Sequence, residues 1–163
     1  MKAALVLLIL AGALHAAVPK FSLGGSAGLD KAVDAHAAGL GKIALADKPL
    51  AQIPRKGALV RIAFSDVLPV PHDGRGTAFV GHHVLAGVSD FALVTFPGEV
   101  ELSTRSAAVV IGSYKGESEI EGAGGAKTMV TVIAARLVGI AEGAAFRVYE
   151  TPAKRPAAKK TGS

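Results

Sequence analysis

Residues 57–150 are cut into short apolar, β-branched runs separated by Gly, Pro and Asp, and no other feature constrains the fold as much. Runs of this kind, bounded by turn formers at intervals of about ten residues, read as β-strands. Residues 58–64 alternate apolar positions around Arg61, and 77–86 and 91–96 are of strand length. Residues 100–104, 107–113 and 117–121 read as three further strands. Residues 66–76, with Pro69, Pro71 and Asp73-Gly74, read as a loop, and 122–125 as a hairpin turn. In 127–140, Thr128, Val130 and Val132 alternate as in a strand, whereas Ala134, Ala135, Leu137 and Val138 would also suit a helix. The β-branched content favours the strand. Residues 141–144 then turn the chain back into 145–150. The expectation is a mainly β protein, an antiparallel sandwich or small barrel of seven to eight short strands.

One amphipathic helix precedes them. Leu29, Ala32, Val33, His36, Ala37 and Leu40 fall on one stripe of a 3.6-residue period, with Ser26 or Asp30 to cap the start and Gly39 or Gly41 the end. Residues 47–56 carry two prolines and read as a connector. The N-terminal helix is expected on one face of the sheet or across one end.

The chain of 163 residues contains no cysteine. That excludes disulfide-stapled modules, Cys-ligated zinc folds, iron–sulfur proteins and thiol enzymes. Met1-Lys2 followed by an apolar run and the small residues of 11–17 has the layout of a secretory signal peptide. The run is short of the roughly 20 residues needed to span a bilayer, so no integral membrane protein is expected. Cleavage after Ala16 or Ala17, or near 11–13, would release a periplasmic or secreted chain. The division is then 1–16 signal peptide, 17–56 helix and connector, 57–150 β-rich domain and 151–163 disordered basic tail.

The formal charge of +5 is a property of the ends: residues 17–150 hold 13 basic and 13 acidic residues. A neutral body with no aromatic-studded basic groove argues against nucleic acid. Lys154, Arg155, Lys159 and Lys160 form a cationic tail suited to an anionic envelope polymer or lipid, at about 1 kcal/mol per charge near an anionic surface.

Three groups of residues invite a chemical reading. His72, Asp73, His82, His83 and Asp90 together offer donors for a divalent metal, although adjacent His82 and His83 would point to opposite faces of a strand. Glu117, Glu119 and Glu121 alternate, with Glu99 and Glu101 before them, and form an acidic face. Charged residues on the wet side or edge of a sheet explain that pattern. The Gly-rich 122–128 segment lacks the glycine and the strand-to-helix context of a phosphate loop. Ser65, Ser89 and Ser113 lie in no nucleophile signature. The chain therefore reads as a non-enzymatic exported module that binds an envelope partner. A metal carrier or metal-dependent hydrolase using His72, His82 or His83 is the alternative, and homo-oligomeric assembly through open sheet edges a third reading.

Overall fold

A computed structural model of the chain describes residues 6–7, 27–45, 48–53, 57–72, 74–104, 106–122 and 125–151. Asp73, the basic tail residues Lys154, Arg155, Lys159 and Lys160, and the segment 1–16 expected to be a signal peptide, apart from residues 6–7, lie outside the described residues.

The elements in chain order are β1 (Val6–Leu7), α1 (Ala27–Ala37), β2 (Ile43–Leu45), a 3-10 turn at Leu50–Gln52, β3 (Leu59–Phe64), β4 (Asp66–Val70), β5 (Thr77–Leu85), β6 (Val88–Phe96), β7 (Ala107–Gly122), β8 (Lys127–Glu142) and β9 (Ala145–Glu150). The protein is mainly β, with one α-helix among the described residues, and its strands form an open sheet in the order β2-β3-β7-β8-β6-β5-β4. Two short partners lie off this path, β1 on β7 and β9 on β8.

The sheet is mixed, not antiparallel. β6 runs parallel to β8 from Ala92↔Thr131 to Thr95↔Ala134, and β2 runs parallel to β3. The cause is a crossover: the chain leaves β6 at Phe96, builds β7 on the far side of β8, and returns along β8 in the direction of β6. Hydrophobic alternation reports which face a residue occupies, not the direction of its neighbour.

Three segments differ from expectation, and a fourth, the 127–140 run, agrees with it. Residues 66–70 form edge strand β4 despite Pro69, which is tolerated because an edge strand has one unpaired side. Residues 107–113 and 117–121 are one 16-residue strand, interrupted only by register shifts at Ile111/Gly112 and Tyr114/Gly116. Residues 101–104 form no strand. There the Thr77 hydroxyl substitutes for a ladder, accepting from Val100 N at 2.8 Å and donating to Gly98 O at 3.0 Å. The 127–140 run is strand throughout, extending to Glu142.

The hairpins follow turn chemistry. Leu85 pairs with Val88 across Ala86-Gly87, both at positive φ (49° and 82°), as a two-residue type I′ turn requires. Glu142 pairs with Ala145 across Gly143-Ala144.

Three clusters of core residues result. The largest contains Val60, Ile62, Phe64, Phe79, Val94, Val110, Ile133 and Val138. A second lies under α1, where Leu29, Val33 and Ala37 pack on Val109, Ile111 and Leu137. The third joins Val70, Ala78, Val80, Ile120 and Val130. Gly139 of β8 lets the helix approach, since a Cβ there would stand 2.6 Å from Val33 and 2.8 Å from Leu29. Arg61 on β3 bonds to Asp30 of the helix, and its Nε lies 3.5 Å from Asp34. His36 at the other end of α1 pairs with Glu150 of β9. Apolar burial holds the helix down, and the partly buried Arg61 sets its rotation.

Residues 59–70 are one continuous course bent at Ser65. Its first half pairs with β7 and its second half with β5. At the bend Ser65 N–H donates to His82 O at 2.9 Å, so the sheet curls strongly there. Among the described residues no helix is long and apolar enough to cross a membrane.

Candidate functional site

The strongest candidate site arises from two irregularities in the β7–β8 ladder. Ile111 faces Leu137 and Gly112 faces Ala135, so Arg136 has no residue opposite it. Tyr114 faces Ile133 and Gly116 faces Val132, so Lys115 has none either. Each is the extra residue of a β-bulge, a feature that bends a strand and re-aims a side chain. Both bulge residues are cations, and both line the same groove of about 400 Å³.

The groove exists because β8 changes partners beside it. On its second edge β8 pairs with β6 as far as Ala134 and with β9 from Leu137 onward. At the strand edge between them Thr151 N–H, on the chain leaving β9, donates to Arg136 O at 2.8 Å. Arg75 and His72 close the groove from the loop before β5, and Thr95 and Ser113 contribute hydroxyls. Among the described residues no Asp or Glu lines it. Among the described residues, Arg75, Lys115 and Arg136 have no ion-pair partner. The hydroxyl of Thr151, also in the lining, is buried without a hydrogen-bond partner. Uncompensated cations beside unspent donors form an environment that an anion would complete.

A second polar constellation sits elsewhere, on the face shared by β4, β5 and β6. His82 Nδ1 lies 3.1 Å from Asp66 Oδ2, and its Nε2 lies 2.6 Å from Ser89 Oγ. The ring is stacked on Phe91 at 4.9 Å, and Ser65 donates to the same Asp66 oxygen at 2.8 Å.

The sequence candidates are dispersed. His82 and His83 occupy opposite faces of β5, the first half-exposed in the constellation just described. His83 is buried, with Nδ1 on Ala63 O at 2.9 Å, the ring edge-on to Phe64, and Nε2 without a partner. His72 lines the cationic groove. Asp90 stands opposite His83 in the ladder, but its carboxylate accepts from Leu50 N at 3.1 Å. Among the described residues no three His, Asp or Glu side chains converge as a metal would require.

The acidic set is also divided. Glu119 binds Lys127 at 2.7 Å across the β7–β8 hairpin, and Glu101 pairs with Arg147 of β9. Glu99, Glu117 and Glu121 are exposed. The hydrogen bond that Lys127 donates to Glu119, together with the carboxylate's charge, holds the ammonium above its usual pKa of 10.5.

Sequence reading missed Lys115, Arg136, Arg75 and Thr151. Their convergence depends on two bulges and a change of strand partner, and no local spacing records these. No family model, no curated protein and no solved structure matches this chain.

Proposed function

We propose that the protein is an exported bacterial envelope protein whose β-rich body is a binding module, and that the groove between β6 and β9 takes an anionic ligand. The leader-like N-terminus supports export, and the charge-balanced body makes the local excess of cations in the groove a specific feature. The observation that carries the reading is that the two bulge residues, Lys115 and Arg136, converge on one groove that no carboxylate lines among the described residues. Surface cations ordinarily diverge into solvent or pair across strands, as Lys127 does with Glu119. We read the body as a small, partly open barrel. The bent course of residues 59–70 supports this, because it pairs with β7 at one end and β5 at the other and would complete a ring β5-β6-β8-β7. Small Greek-key barrels are a common scaffold for ligand-binding faces.

Charge-assisted hydrogen bonds contribute about 1.5–3 kcal/mol each. Two or three of them, less the cost of association, place the affinity for a small anion on the order of 1 mM. The test is titration of the full chain with inorganic phosphate at low salt, followed by amide chemical shifts in NMR. Amides of residues around Thr95, Lys115 and Arg136 are expected to move together along one binding curve that weakens as salt is added. The double variant Lys115→Ala/Arg136→Ala should abolish the curve. Absence of any shift at these amides, or an unchanged curve in the double variant, would defeat the proposal.

A further inference from the structure

The Asp66–His82–Ser89 constellation meets the geometric requirements of an activated serine, and we propose that this face is a second, catalytic site that hydrolyses short-chain carboxylic esters with Ser89 as nucleophile. The inference is independent of the anion groove and adds a reaction to a binding module.

The three residues are joined by register alone. Asp66 of β4 stands directly opposite His82 of β5. Phe91 of β6 stands opposite His82 on the other side, so Ser89, two residues before Phe91, is the diagonal neighbour on the same face. A nucleophile within hydrogen-bond reach of a base, which a third group orients, is the arrangement that activates serine. An ionised carboxylate only accepts hydrogen bonds, so Asp66 holds the His82 proton on Nδ1 and leaves the Nε2 lone pair facing Ser89. Stacking on Phe91 and the hydroxyl of Ser65 on Asp66 restrain the imidazole and the carboxylate.

Two further features suit ester chemistry. Leu68, Val84 and Phe91 surround the constellation on the same face and are among the most exposed large apolar side chains of the chain. They offer a platform for an acyl group. The backbone supplies a donor as well. In a two-residue hairpin the closing pair, here Leu85 with Val88, exchanges hydrogen bonds and the next pair does not. The Ser89 N–H therefore points away from β5, and β8 pairs with β6 only from Ala92 onward, so among the described residues no strand pairs with that edge of β6 at Ser89. This N–H can donate to the oxyanion that forms on the carbonyl Ser89 attacks.

The reaction balances with water as the only co-reactant. Ser89 Oγ attacks the ester carbonyl as its proton passes to His82 Nε2. The tetrahedral adduct collapses, the C–O bond to the alcohol breaks, and His82 returns the proton to the departing alkoxide. Water then attacks the acyl-serine, giving its proton to His82, and the acid leaves as Ser89 regains that proton. Asp66 touches no reacting atom and is a positioning residue.

The full chain should react with a fluorophosphonate probe at one site, mapped by peptide mass to Ser89, and should release p-nitrophenol from p-nitrophenyl butyrate above the buffer rate. Ser89→Ala and His82→Asn should lose the label, and turnover should fall at least about 100-fold. Asp66→Asn should lower kcat by roughly 10²–10⁴-fold with KM little changed, and should shift the pH–rate profile, which a purely structural role would not do. These residues lie on a surface face, and thermal melts would verify that each variant folds. Should His82→Asn fail to fold, Ser89→Ala decides alone. An unlabelled wild-type chain, a label on another residue, or turnover that survives Ser89→Ala would each overturn the proposal.

Discussion

At the scale of single residues, the molecule depends on where side chains are absent as much as where they are present. Gly139 lies in the middle of β8, where a β-former would be favoured, yet the helix residues Leu29 and Val33 occupy the space its Cβ would need. Gly139→Ala should cost about 1–3 kcal/mol, the range for overpacking a tight core, read as a lowered midpoint in urea with an unchanged slope. His83 shows how little residue type alone decides. In sequence it is one of two adjacent imidazoles, indistinguishable from His82. The strand pleat puts one in the core against Phe64 and the other on the surface beside Ser89.

At the scale of elements, strands were legible from apolar alternation and turn chemistry, and errors fell where one rule competed with another. Pro69 argued for a loop, but β4 is an edge strand and needs no ladder donor at that residue. Residues 114–116 read as a gap between two strands, but a bulge at Lys115 keeps β7 continuous. The far end of the β7–β8 hairpin is held partly by Glu119 and Lys127. Because the partner raises the Lys127 pKa, the pairing contributes fully below the usual value of 10.5 and is lost as pH rises through the higher folded value. Glu119→Gln should bring the Lys127 titration down toward 10.5, measured by NMR of its side chain. Fraying of the hairpin amides should then begin at lower pH than in the unaltered chain.

At the scale of the whole molecule, export can be tested directly. Native mass spectrometry of protein recovered from the periplasm of an expressing bacterium should show a chain shortened by the leader, cut near Ala16 or Ala17. A full-length mass in that fraction would count against export. Loss of residues 6–7 should leave the sheet intact, since they add only two parallel pairs at Glu121 and Gly122. By itself the sequence determined that the protein is β-rich, that a helix lies ahead of the main run of strands, that cysteine chemistry is absent and that the charge excess lies at the ends. Those properties are set by composition and by contacts between residues near one another in the chain. Only the tertiary structure decided that the sheet is mixed, that Lys115 and Arg136 share a groove, and that Ser89 meets His82 and Asp66. Each depends on strand register and on the choice of strand neighbour. These are fixed by burial of whole faces across the fold, and no run of adjacent residues encodes them.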